Sequence, residues 1–323
     1  RIGGKLDLSA SDNQRFSAIG TIRLDGSHVD GDGSLAGATL DGRGEPALSA
    51  LSAFVGSNVV FCTVADHLFE AMGEVIFAAS EIAGDLNCEG ARLSSPNGRA
   101  MHCEDLEVES VFLLKSRRLN IPFEAHGRLN FLTAVISGSF FMTNARLLPG
   151  PDYEGVLRKG GPVAINLQQA RISNALALSN IGEVTDDGVA SLDGEPKPVE
   201  GWFLLTGTQM TTVIDHVDTG WPSAGYLEID GAIYSDVRHY GDGDLTARSI
   251  SWLQRQYRNG VPDRRSFRPQ PYEQLTRVLR DSGRTVEANA IAVEKIRMRL
   301  AARVDQPWAR FFPNLLMLVS NYG

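Results

Sequence analysis

Short runs of alternating apolar and polar residues fill the first 240 positions, and they recur at a nearly fixed interval. Around Ile82 the order is Val75, Phe77, Ser80, Ile82, Gly84, Leu86, Cys88, with polar or charged residues in most gaps. Period-two alternation of this kind predicts short β-strands. The same template fits Ile22, Leu24, Ser27, Val29, Gly31, Gly33, Leu35, and then Leu48, Ala50, Ala53, Val55, Ser57, Val59, Phe61. It fits again as Met101, Cys103, Leu106, Val108, Ser110, Phe112, Leu114, and as Leu129, Phe131, Ala134, Ile136, Gly138, Phe140, Met142. A further copy runs Ile165, Leu167, Ala170, Ile172, Asn174, Leu176, Leu178, and weaker ones contain Met210 and Tyr234. The central apolar residues are Ile2, Val29, Val55, Ile82, Val108, Ile136, Ile172, Met210 and Tyr234. Their spacings are 27, 26, 27, 26, 28, 36, 38 and 24 residues. The two longest gaps hold loop-like text, "LPGPDYEGVLRKGG" and "GEVTDDGVASLDGEPKPVE". A two-unit echo is also present: "AGATL", "EGARL" and "TNARL" recur at 53 and 54 residues.

A repeat of about 27 residues without helical periodicity predicts an all-β chain, one coil of a parallel β-helix per repeat. The expectation is a right-handed coil, as parallel crossovers usually are. About nine coils at the ~4.8 Å strand spacing make a rod of roughly 40 Å. The small residues Gly4, Gly31, Ser57, Gly84, Ser110, Gly138 and Asn174 are expected at a bend, where a positive φ suits Gly or Asn. A two-sheet sandwich or barrel is the alternative, and it predicts antiparallel pairing without a constant period.

The pattern changes near residue 249. "PYEQLTRVLRDSGRTVEANAIAVEKIRMRLAARV" has helical spacing, with Tyr272, Leu275 and Leu279 on one face and Gly283 as a stop. A second helix is expected from about Arg284 to Val304, its inner face formed by Val286, Ala290, Val293 and Leu300. The expected organisation is a β-helix over 1–248, a basic helical hairpin over 249–310 that caps the last coil, and an apolar segment over 311–323. Phe311 to Val319 is apolar and shorter than the ~20 residues a membrane helix needs. It reads as an interfacial segment or the start of a membrane helix, with packing on the rod as the other reading. Arg303, Trp308, Arg310, Phe311 and Phe312 would then lie next to the membrane, on its cytoplasmic side by their charge.

Charge sharpens this division. The chain of 323 residues has a net charge of −8. Residues 249–323 hold 13 of the 31 Lys and Arg and 6 of the 39 Asp and Glu, a net +7, which leaves −15 on the rest. An acidic body therefore carries a basic tail. The three cysteines, Cys62, Cys88 and Cys103, lack metal-binding spacing and fit a reducing compartment. The opening "RIGGKLDLSA" reads as the middle of a repeat, as a fragment would.

The coils, followed by "FRPQPYEQLTRVLRDSGRTVEANAIAVEK" and a "YG" ending, resemble a family of bacterial pentapeptide-like β-helix proteins. The resemblance covers nearly the whole chain, and its most specific part is "QPYEQL…LR..G…EA". It implies a C-terminal membrane segment continuing past Tyr322-Gly323. Members are often labelled membrane-associated oxidoreductases, a label that places no catalytic residue here. The chain contains no GxGxxG and no GxxxxGK[ST], so no cofactor is expected.

Cys88 and Cys103 fall in inward positions and are expected to be core thiols. Cys88 would align with Phe61, Leu114, Met142 and Leu178. Glu81 and Glu107 would share an outward column one coil apart, near Asp85 and Glu109. Two such carboxylates are the weak catalytic candidates of a carbohydrate-active β-helix enzyme. Asp30 and Asp32 in "VDGDG", with Asp242 and Asp244 in "YGDGDL", are weak Ca²⁺ candidates. Asn130 and Asn166 would form an amide ladder. The expected function is a non-enzymatic scaffold or recognition rod at the cytoplasmic face of the inner membrane. It would bind a protein partner or itself, and no nucleic acid. A carbohydrate-active enzyme and the sensor domain of a membrane effector are the alternatives. A nucleic-acid mimic also fits the acidic body but leaves the basic tail unused.

Overall fold

The computed structural model describes residues 1–11, 14–150, 161–183 and 197–303. The candidates Trp308, Arg310, Phe311 and Phe312, and the apolar segment, lie outside the described residues. Among the described residues, 25 strands join one sheet, and every pairing between these strands is parallel. That overturns the sandwich alternative and makes the chain an all-β, β-helix-like stack.

The strands fall into four columns. The first begins with Ile22–Arg23, Leu48–Ser49 and Val75–Ile76. The second contains His28–Val29, Phe54–Val55, Glu81–Ile82, Glu107–Val108 and Val135–Ile136. The third begins with Leu6–Asp7, Gly33–Ser34, Val59–Val60 and Leu86–Asn87, and ends at Asp236–Tyr240. The fourth contains Ser17–Ile19, Thr39–Asp41 and Glu70–Met72. Later strands such as Arg92–His102 and Phe140–Leu148 run through a corner and serve two columns.

The anchor residues stack in the order expected. Parallel pairing joins Ile2 to Val29, Val29 to Val55, Val55 to Ile82, Ile82 to Val108 and Val108 to Ile136. It continues from Ile136 to Ile172 and from Ile172 to Met210. From Val29 to Met210 these positions are buried, because each anchor's neighbours in the stack are themselves apolar.

Two details differ from expectation. In the unit after Ile82, Leu86 pairs with Val111 and not Phe112, so Leu113 and not Leu114 follows Cys88 in the inward column. The corner between Val108 and Val111 is one residue shorter than that between Ile82 and Leu86, and a one-residue slip exchanges the two faces. The small column does not need positive φ. At Gly84 an added Cβ would sit 2.9 Å from the backbone of Ser57, so close coil-to-coil approach selects the small residue. One set of left-handed residues lies three positions before the anchors: Gly26, Ser52, Ala79, Asp105, Thr133, Gln169, Gly207 and Gly231.

The fourth column explains the two-unit echo. Its inward residues run Ala18, Leu40, Ala71, Leu93, Ala125, Leu147 from strand to strand. Two positions earlier the order inverts, as Ala38, Phe69, Ala91, Phe123, Ala145. From Ala38 and Leu40 onward these side chains are buried. A large side chain thus sits above a small one in each row, which keeps the filled volume even along the stack.

Among the described residues, three helices close one end. They are α1 (Leu245–Gln254), α2 (Gln270–Asp281) and α3 (Thr285–Ala301). The expected hairpin lacked α1, which starts before residue 248 because Asp244 caps it by accepting from the Ala247 amide at 2.8 Å. Tyr272, Leu275 and Leu279 are buried as expected. Gly283, at φ 76°, lets the Arg284 amide reach back to the Leu279 carbonyl at 2.8 Å. In α3 the inward face is Ala288, Ile291, Glu294 and Met298, and the expected inner residues Val286, Val293 and Leu300 are exposed. Buried Glu294 is accommodated because Gln254 of α1 donates to it at 3.0 Å and Arg297 at 2.7 Å. No helix among the described residues is long and apolar enough to cross a membrane.

Candidate functional site

The outward side of the second and third columns carries the acidic candidates. Glu81 and Glu107 are register partners, one strand apart, and both are exposed. Phe54 lies below Glu81 and Val135 above Glu107. Glu109 is exposed and Asp85 half-buried at the following corner. Next to them on the third column, Phe112 and Phe141 stack with ring centroids 5.2 Å apart. Strand alternation aims all of these side chains away from the core. Carboxylates thus face outward on one column and stacked aromatic rings on the next.

The other sequence candidates are held in local structure. Asp30 pairs with Arg1 at 3.1 Å and with His28 at 2.9 Å. Asp32 accepts from the backbone and side-chain amides of Asn58, at 2.9 and 3.2 Å. Asp244 is the α1 cap, and the Asp242 amide donates to Asp218 at 3.4 Å. Among the described residues no His, Cys, Asp and Glu side chains gather into a metal-binding group. Asn166 donates to Asn130 at 3.0 Å, the amide ladder expected from the sequence. Arg303, the one membrane-proximal candidate among the described residues, is exposed.

Cys88 and Cys103 are fully buried, and burial pushes both thiols far above the ordinary range. Such thiols do not form the thiolate that nucleophilic or metal chemistry requires. His102 lies between Met101 and Cys103 in the chain but faces outward, within 3.5 Å of Glu74 and 3.4 Å of Glu104.

The inward column that contains Cys88 ends in two polar, titratable residues that sequence reading missed. It runs Leu113, Met142, Leu178, Asp215 and His239 on successive strands. The side chains of Asp215 and His239 are wholly buried, with His239 Nδ1 2.7 Å from Asp215 Oδ1. Trp221 Nε1 donates to the other carboxylate oxygen. Trp252 of α1 packs over the pair, its ring centroid 5.0 Å from His239 and 5.6 Å from Trp221. Among the described residues, His239 Nε2 and Trp252 Nε1 have no hydrogen-bond partner. An Asp–His pair of this kind orients an imidazole in acid–base enzymes. Here no solvent reaches either side chain, so the pair ties the last two strands to the first helix. The only signal in the sequence was the alternation of "TVIDHV", which places Asp215 two positions after inward Val213.

Beside this tie, a solvent-open groove of about 650 Å³ runs between the last strand and the helices. Asp236, Arg238, Tyr240, Arg248, Arg284 and Glu287 line it. Arg238 pairs with Asp236 at 2.9 Å, and Arg248 donates to the Gly241 carbonyl at 3.0 Å. The groove walls are thus polar and charge-paired in part.

On the fourth column a ladder of alternating charge fills the outward positions Glu70, Arg92, Glu124 and Arg146. Arg92 lies 3.5 Å from Glu70 and 3.2 Å from Glu124, and Arg15 reaches Glu70 at 2.9 Å. Burial alone would raise the Glu124 carboxyl, but His126 and Arg92 outweigh it and hold the group below the ordinary carboxylate range.

No protein-family model, curated protein or solved structure matches this chain.

Proposed function

We propose that this chain is a right-handed β-helix of about nine coils that serves as a non-enzymatic recognition rod at the cytoplasmic face of a bacterial inner membrane. The observation that carries the reading is the outward surface, on which exposed Glu81 and Glu107 stand in register on one column and the Phe112–Phe141 stack follows on the next. Carboxylates with rings on the next column suit a basic protein partner. The acids supply complementary potential and the rings supply apolar contact and cation–π attraction to Arg or Lys. The basic C-terminal part, with Trp308, Arg310, Phe311 and Phe312, supplies the tether.

The second reading, a carbohydrate-active enzyme, has one observation in its favour. Glu81 and Glu107 stand at about the ~4.8 Å strand spacing, close to the carboxyl separation of retaining glycosidases. Both groups, however, are exposed rather than enclosed around a substrate.

Two measurements on the full chain test the proposal. Affinity for a basic partner, with polyarginine peptide as the probe, is expected to fall about tenfold or more when Glu81 and Glu107 are both changed to Gln, two charges being lost. Release of reducing sugar from an oligosaccharide panel, abolished by Glu81→Gln or Glu107→Gln, would replace the rod by the enzyme.

A further inference from the structure

Helix α3 turns an apolar stripe to solvent. Val286 is 81% exposed, Val293 66%, Ile296 57% and Leu300 40%. At 3.6 residues per turn these four fall within a quarter-turn arc along the helix. They lie opposite the packed face of Ala288, Ile291, Glu294 and Met298. An apolar stripe of this length left uncovered marks a contact surface.

The flanks of the stripe say what it contacts. Arg297, its guanidinium bonded to Glu294, borders one side, and Arg299 and Arg303 border the other, all three exposed. The helix's two carboxylates are on its inner side: Glu294 is buried and Glu287 half-buried. The outer face therefore combines four apolar side chains and Asn289 with bordering arginines, and neither carboxylate of the helix lies on it. Two such faces from two copies would bring like charges together. An apolar stripe between cationic borders matches the acyl boundary and headgroups of an anionic bilayer.

We infer that α3 is itself an interfacial membrane-binding helix, which lies along an anionic lipid surface with Val286, Val293, Ile296 and Leu300 entering the headgroup–acyl boundary. This rests on the membrane reading above and adds a second contact to the apolar C-terminal segment. Neither one apolar segment nor one basic patch holds a protein firmly to a membrane, whereas two signals together do. Lying flat, α3 also fixes the orientation of the rod, because it packs rigidly on α1 and α2.

Cosedimentation of the full chain with vesicles tests this. Equimolar phosphatidylglycerol and phosphatidylcholine should bind the chain, phosphatidylcholine alone should bind it more weakly, and added salt should release it. Val293→Asp with Ile296→Asp should lower partitioning by about tenfold or more. Arg299→Glu with Arg303→Glu should lower it about tenfold on the anionic vesicles alone. All four positions are exposed, and an unchanged circular dichroism spectrum checks that the fold is kept. Full binding by both α3 variants, with loss on Phe311→Asp and Phe312→Asp, would overturn the α3 inference and leave the membrane reading intact. No binding by the unaltered chain would overturn both. A dimer in sedimentation equilibrium that Val293→Asp converts to monomer would make the stripe a contact between copies and overturn the lipid assignment.

Discussion

Around the Ile82 anchor, residues are selected by two different constraints, close approach and handedness of φ, and the two fall at different positions. Gly84 has ordinary φ but no room for a methyl group beside Ser57 and Asn58. Ala79 has room, being exposed, but sits at φ 52°. A left-handed non-glycine residue costs roughly 1–2 kcal/mol. Ala79→Gly should therefore stabilise the protein by about 0.5–1 kcal/mol, since glycine's own entropy cost offsets part of the relief. Gly84→Ala should destabilise it by about 1–3 kcal/mol through overpacking. Urea denaturation of the two variants checks both signs. The same gain at both positions would refute the division between the two constraints.

At the scale of elements, the fourth column couples packing with charge. Its inward residues alternate large and small while its outward residues alternate acid and base, both with a period of two strands. Glu124 is the member whose titration matters. Its carboxyl is held below the unfolded value of about 4.3. It therefore contributes stability fully above that pH, and the contribution is lost as pH falls through the lower folded value. Glu124→Gln should cost about 1–2 kcal/mol at pH 7, the worth of charge-assisted hydrogen bonds. It should also flatten the stability profile below about pH 5. Thermal melts across that range measure both, and an unchanged slope would remove Glu124 from the ladder's energetics.

For the whole molecule, the decisive feature is how the stack ends. A parallel stack leaves an open edge at its last strand. The α2 glutamines close it: Gln270 bonds the Gly231 amide at 2.9 Å and the Ala232 carbonyl at 3.0 Å, and Gln274 bonds the Tyr234 carbonyl at 2.6 Å. The buried Asp215–His239 pair under Trp252 makes a second attachment. His239→Ala should cost about 3–5 kcal/mol, because it leaves an uncompensated buried carboxylate. Replacing Asp215 and His239 together by Leu and Met should cost far less. Chemical denaturation, read by tryptophan fluorescence near the helices and by far-ultraviolet dichroism along the strands, distinguishes the outcomes. A double variant as unstable as His239→Ala would show that packing, and not the charge, dominates there.

The sequence by itself determined the repeat, the parallel stacking register of Ile2 through Met210, the inward burial of Cys88 and Cys103, and the helical end with its Gly283 stop. These are set by local periodicity, because each inward position repeats the same burial problem one coil later. Outward placement of Glu81 and Glu107 followed from the same parity. Tertiary structure decided the rest. The corner after Val108 is shorter by one residue, which only its pairing with neighbouring strands reveals. Which face of α3 packs inward was settled by Gln254 of α1, a partner 40 residues away that lets Glu294 be buried in place of Val293. The Asp215–His239 pair lies at positions that alternation alone would fill with aliphatic residues. A charge is tolerated there only because a second strand, Trp221 and α1 converge to satisfy it. That convergence is a property of the assembled end and of no single segment.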